Sequence, residues 1–130
     1  MTISGDFPHI TNRRITSNGI ELNIAEQGDA DAPLIVMLHG FPESWFSWRH
    51  QFAPLAAAGY HVVAPDMRGY GESDKPSDIS AYNQVEVVND VKGLVAALGY
   101  ETAIVIGHDW GGPTAWSCAL WHPEIFSAVG

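Results

Sequence analysis

Thr102-Ala103-Ile104-Val105-Ile106-Gly107-His108-Asp109-Trp110-Gly111-Gly112-Pro113 carries the change of periodicity from which the architecture can be read. The continuous apolar run up to Gly107 suits a strand covered on both faces. Gly112 to Trp121 then reads as a helix, with Pro113 tolerated in its first turn and Pro123 beyond its end. A buried strand passing into a helix through a short turn is the unit of an alternating β/α chain.

The same alternation continues upstream. Val87, Val88, Val91, Leu94, Val95 and Leu98 form a broad apolar stripe at helical spacing between Ser80 and Leu98, ending at Gly99. His61-Val62-Val63-Ala64 and Leu34-Ile35-Val36-Met37-Leu38 are further buried strands. Between them, Ser47 to Ala58 places Trp48, Phe52, Leu55 and Ala56 on one helical face, and Pro54 predicts a kink or a split there. Arg13 to Thr16 and Ile20 to Ile24 flank Asn18-Gly19, the signature of a hairpin with a two-residue turn. Residues 1–10 have no periodic pattern and read as a loose arm. Pro65 to Pro76 is a glycine- and proline-rich loop of the length that serves a function or a structural clamp. The fold class is therefore α/β, a mostly parallel sheet with right-handed crossovers and helices on both faces. Ser127-Ala128-Val129-Gly130 closes the chain where the alternation calls for another buried strand. Residues 1–130 are expected to be the N-terminal part of a single core domain whose last strands are absent.

Composition narrows the function. The chain has 130 residues, 15 acidic against 6 basic side chains and a formal net charge of −9. With no basic stripe, nucleic acid and anionic membrane are poor partners. Its longest aliphatic runs, Leu34–Leu38 and Leu94–Leu98, are too short to span a bilayer. One cysteine, Cys118, excludes an internal disulfide, and the first residues lack the apolar core of a signal peptide, so a cytoplasmic setting is expected. A metal is not expected, for want of a Cys or His ligand set, and no Gly-rich phosphate fingerprint follows a strand.

Gly107-His108-Asp109-Trp110-Gly111 holds a polar residue between small ones at the strand-to-helix junction, the pattern of a nucleophile elbow. Two readings of Asp109 stand: an N-cap of the following helix, or a carboxylate nucleophile. A carboxylate that attacks an sp³ carbon leaves an ester, which water can cleave, whereas a serine would leave an inert ether. His39-Gly40-Phe41-Pro42 follows the Leu34–Leu38 strand, where this architecture takes its second oxyanion donor. The backbone N–H groups of Phe41 and Trp110 would converge on one oxygen, and the occurrence of both motifs favours the nucleophile. His39, Gly40, Gly107, His108 and Gly111 then support the elbow and the turn. The same turn also reads as a strand-to-helix connection with a rigid proline.

Three stretches together, His39 to Arg49 (HGFPESWFSWR), Asp66 to Ser73 (DMRGYGES) and Gly107 to Gly112 (GHDWGG), resemble the soluble epoxide hydrolases of the α/β-hydrolase fold. The resemblance runs from about Arg13 to the last residue. It implies Asp109 as nucleophile, an oxyanion hole of the Phe41 and Trp110 amides, and an apolar substrate pocket lined by Phe41, Pro42 and Trp110. It implies a small apolar epoxide and water as substrates, no cofactor, and a vicinal diol as product. The family also uses a histidine base with an acidic partner and lid tyrosines, all expected beyond the point where this chain stops. His9, His39, His50, His61, His108 and His122 read as structural or surface residues, and Tyr60, Tyr70, Tyr82 and Tyr100 as loop and packing residues.

The nearest rival chemistry is dehalogenation, which uses the same aspartate. Haloalkane dehalogenases tend to have Asn at the place of Phe41, and fluoroacetate-type enzymes Arg at the place of Trp110. A reading of another class is a catalytically incomplete fragment or a binding protein. Asp66, Arg68 and Asp74 are expected to pair and hold the Gly-rich loop, Trp45 and Trp48 to pack the helix on the sheet, Glu43 to bond backbone near the oxyanion turn, and Cys118 to sit in the core. The sequence does not indicate an oligomeric state.

Overall fold

The structure, a computed structural model, describes residues 7–130. Six strands form one sheet in the order β1-β2-β4-β3-β5-β6. They are β1 (Thr11–Ser17), β2 (Ile20–Gln27), β3 (Leu34–Leu38), β4 (His61–Pro65), β5 (Ala103–Gly107) and β6 (Phe126–Val129). β1 and β2 form the antiparallel hairpin, β2 pairs antiparallel with β4, and β4, β3, β5 and β6 run parallel. The hairpin turns on Asn18 and Gly19, both at positive φ, and the register Ser17↔Ile20 makes it a two-residue loop.

Alternation along the central strand explains its continuous apolar run. Leu34, Val36 and Leu38 pack with Val88, Val91, Leu94 and Val95 of α2 (Gln84–Ala97) and with Ala115 and Cys118 of α3 (Gly111–Trp121). Ile35 and Met37 face the other way, onto Trp45 and onto Phe52 of α1 (Phe52–Ala57). Both faces are covered, so neither needs a polar residue. This is the mostly parallel sheet with helices on both faces expected from the sequence.

Several boundaries differ from the sequence reading. The helix expected over Ser47–Ala58 is split into a 3-10 turn at Trp45–Trp48 and α1. The break precedes Pro54, which lies in the first turn of α1, where its missing N–H is not needed. The helix expected over Ser80–Leu98 is likewise two pieces, a 3-10 turn at Ile79–Tyr82 and α2. Asn83 separates them because its side chain accepts the Glu86 N–H as an N-cap. Of the arm expected over residues 1–10, residues 1–6 lie outside the described residues. The rest is not loose: Ile10 is buried, and the Phe7 ring stands edge-on to Phe46, 6.3 Å between centroids. The strand expected near residue 130 is β6, at the edge of the sheet.

Asp66, Arg68 and Asp74 hold the Gly-rich loop, but not by pairing with one another as expected. Asp66 accepts from the Trp45 amide at 2.8 Å, the Glu72 amide at 2.9 Å and the Asn23 side chain at 3.0 Å. Arg68 instead forks onto Asp90 of α2, at 2.8 and 2.9 Å. Asp74 takes Arg14 and the Glu21 amide of the hairpin. The loop is thus pinned to the Trp45 turn, to the β1–β2 hairpin and to α2.

Candidate active site

Three glycines bring the ends of β3 and β5 and the start of α3 into contact. A methyl group on Gly107 would lie 2.1 Å from the Gly111 carbonyl oxygen, and one on Gly111 only 2.3 Å from the Leu38 carbonyl oxygen. Gly40 has the same constraint from the opposite side, its absent Cβ falling 2.4 Å from the Asp109 Cβ. The backbone closes through His108 N–H donating to Leu38 O at 3.1 Å, Gly111 N–H to His108 O at 2.9 Å, and Gly112 N–H to Asp109 O at 2.9 Å. Asp109 sits at the apex with φ 58°, a left-handed conformation that only its short polar side chain makes acceptable.

The Asp109 carboxylate is exposed, and its Oδ2 accepts the Phe41 N–H at 3.1 Å. Trp110, not Asp109, occupies the N-cap position of α3, and no side chain caps that helix. The cap reading of Asp109 is therefore replaced by one in which its carboxylate faces the turn at Gly40-Phe41-Pro42. The Trp110 and Phe41 amides hold its carboxyl below the usual aspartate range, with His108 adding a smaller effect in the same direction.

The turn that supplies Phe41 is held from within. Gly40 N–H donates to Glu43 Oε1 at 2.9 Å and Glu43 N–H donates to Gly40 O at 3.0 Å, which is the backbone contact expected for Glu43. The Phe41-Pro42 peptide is cis. The His39 ring is buried beneath, and burial pushes its pKa below the ordinary histidine value. His108 supports the elbow through its backbone, whereas its exposed side chain stands 3.6 Å from Glu43.

A cavity of about 240 Å³ opens beside the elbow, lined by His39, Met67, Tyr70, Tyr82 and Trp110, with Gln84 and Thr114 among its polar walls. Of the three side chains expected to line a pocket, only Trp110 borders it. Phe41 and Pro42 are exposed, and Phe41 meets Tyr70 edge-on with 6.3 Å between ring centroids. Tyr70 and Tyr82, read from the sequence as loop and packing residues, are walls of this cavity. The glycines on either side of Tyr70 are the local signal that its loop is closely packed, for a Cβ on Gly69 would meet the Tyr82 ring and one on Gly71 the Asp66 carboxylate.

Other groups stay apart from Asp109. Among the described residues no histidine is hydrogen-bonded to it, and no group of three His, Cys, Asp or Glu is placed to hold a metal ion. Cys118, on the buried face of α3, sits in the core, and burial raises its thiol pKa to about 12. Trp45 is buried against Phe52, as packing requires. Among the described residues no helix is long and apolar enough to cross a membrane.

Comparison with known proteins bears on the family and the fold. The family model for the α/β hydrolase fold matches residues 33–129. Among curated proteins, the AB hydrolase superfamily protein YfhM of Bacillus subtilis is 52% identical over 115 residues, 88% of this chain and 40% of the relative. Epoxide hydrolase A of Mycobacterium tuberculosis is 45% identical over 119 residues, 92% of this chain and 37% of the relative. The chain thus spans about two fifths of the length of these relatives. Among solved structures, epoxide hydrolase A from Mycobacterium thermoresistibile superposes with a TM-score of 0.91 at 46% identity, over 92% of this chain and 38% of that one. Epoxide hydrolase VrEH1 from Vigna radiata gives 0.91 at 41% identity, over 96% and 38%.

Proposed function

The chain belongs to the α/β-hydrolase fold family, and from that premise we propose that it supplies the nucleophile and oxyanion half of an epoxide hydrolase. The observation that carries the reading is the exposed Asp109 carboxylate with the Phe41 amide donating to Oδ2. The oxygen held by that amide is the one on which negative charge would later develop, and Oδ1 is the attacking oxygen.

In the first step Asp109 Oδ1 forms a bond to a ring carbon of the epoxide while the carbon–oxygen bond of the ring breaks. The freed alkoxide takes a proton from an acid, and an alkyl ester remains on Asp109. Water then attacks the ester carbonyl carbon, giving up a proton to a base. The charge that collects on Oδ2 is met by the Phe41 amide that already donates to it, with the Trp110 amide, which also lowers the carboxyl pKa, as the second donor. Collapse expels the diol and restores the carboxylate. The acid and the base are not found among the described groups around Asp109. His39 has both ring nitrogens engaged, and the His108 side chain stands beside Glu43. We assign both roles to residues outside this chain. The names of similar proteins support an epoxide as substrate, and the absence of Asn at Phe41 and of Arg at Trp110 disfavours a dehalogenase.

The test is a single turnover of the protein that carries this chain with styrene oxide in heavy-oxygen water, followed by mass spectrometry. The expected result is label in the Asp109 carboxylate. Label entering only the diol would show direct attack by water, and halide release from haloalkanes without diol formation from epoxides would show the dehalogenase.

A further inference from the structure

The His39 side chain links two segments. It is 3% exposed, its Nδ1 lies 2.8 Å from Gly40 O, and its Nε2 lies 2.9 Å from the Met67 amide nitrogen. A carbonyl only accepts and an amide N–H only donates, so these partners leave one arrangement: a neutral ring that donates from Nδ1 and accepts at Nε2. The ring also stands edge-on to Tyr70, 5.1 Å between centroids at 76°, and Tyr70 in turn stands edge-on to Phe41. Met67 and Tyr70 belong to the loop pinned by Asp66, Arg68 and Asp74.

We infer that His39 is a positioning residue that couples this loop to the oxyanion turn, so that the place of the Phe41 amide over Asp109 is set by Met67 and Tyr70 as well as by the turn itself. The inference rests on the proposed role of Phe41. It implies a pH sense. A proton added at Nε2 would face the Met67 N–H, donor against donor, and the link would open. Burial, the largest effect, disfavours the charged ring, while the Gly40 carbonyl, then Asp66 on the loop and Glu43 on the turn, favour it. Arg68 lines the same cavity, Tyr70 covers one edge of the ring, and the Asp109 carboxylate lies against the neighbouring Gly40. With its folded pKa below the unfolded one, His39 keeps the link whole above the ordinary histidine range and loses it as pH falls through the depressed value.

The experiment compares His39→Asn, which keeps a donor near Nδ1 and removes the acceptor, with His39→Gln, which places an oxygen near Nε2. Measured on the protein that carries this chain are hydrogen exchange of the Met67 amide, the nitrogen NMR shifts of the His39 ring, and kcat and KM for styrene oxide. Expected are a ring protonated on Nδ1, faster Met67 exchange in His39→Asn with kcat down about tenfold and KM within about twofold, and recovery of both in His39→Gln. A ring protonated on Nε2, or a His39→Asn protein that melts earlier yet keeps its kcat, would overturn the inference. Wild-type protein inert toward styrene oxide would sink the proposed function instead, while ring tautomer and Met67 exchange still decide for or against the link. The wild-type tautomer needs no variant to fold.

Discussion

Among the described residues only two that are not glycine hold a positive φ, Asn18 at 51° and Asp109 at 58°, and they sit at opposite kinds of turn. At the hairpin, Gly19 beside Asn18 has open space where a Cβ would go, and the Asn18 amide is tied to Glu86 and Asp90 of α2. The turn there is local, and its polar side chain is used up in holding a helix. At the elbow, the glycines before and after Asp109 press on other backbone, while the Asp109 side chain is left exposed, its carboxylate met by the Phe41 amide and its charge favoured by the Trp110 amide. The same backbone conformation thus serves chain reversal in one place and presentation of a carboxylate in the other. What separates them is whether the surroundings or the turn itself enforces the angle.

The contrast is broken most severely at Asp109. Asp109→Asn should lower the rate of diol formation at least about a thousandfold, roughly 4 kcal/mol in the barrier, while urea unfolding stays within about 1 kcal/mol of wild type. A variant that keeps its rate would make the exposed carboxylate a mere turn residue like Asn18. Next comes Gly111→Ala, whose methyl group would press on the Leu38 carbonyl and should cost about 3 kcal/mol in urea unfolding. Gly19→Ala meets nothing, so only the left-handed angle is penalised, by about 1 kcal/mol. Equal losses at the two glycines would mean that the elbow is no more tightly enforced than the hairpin. The smallest effect concerns pH. Because two amides lower the Asp109 pKa, the ionised carboxylate that the proposed function requires is complete above the ordinary aspartate range and is lost as pH falls through the depressed value. Ester formation followed by rapid quench should therefore persist to lower pH than a free aspartate allows. An acid limb at or above the ordinary value would show that the amides do not stabilise the charge.

Much of this was legible in the sequence where the signal is local. The apolar run of β3, the stripe on α2, the Asn-Gly turn and the small residues around Asp109 each follow from neighbours a few positions apart. Contacts between distant segments have no such signature. The reading paired Asp66 with its own loop, yet its partners Trp45 and Asn23 lie 21 and 43 positions away. The cavity walls Tyr70, Tyr82 and Gln84 meet Trp110 only because α2 and the loop before it pack beside the elbow. Phe41 illustrates the opposite limit: the approach of its backbone N–H to Asp109 was readable from its motif, but its side chain lies edge-on to Tyr70, which spacing cannot place.

The core position of Cys118 has a meaning for a protein that would handle strained three-membered ethers. Such molecules alkylate thiolates wherever they meet them. With one sulfhydryl in the chain, no exposed surface on it and a thiol pKa near 12, this segment would present no thiol to such a molecule, and under the proposed function covalent capture would be left to the Asp109 carboxylate, whose ester water can release.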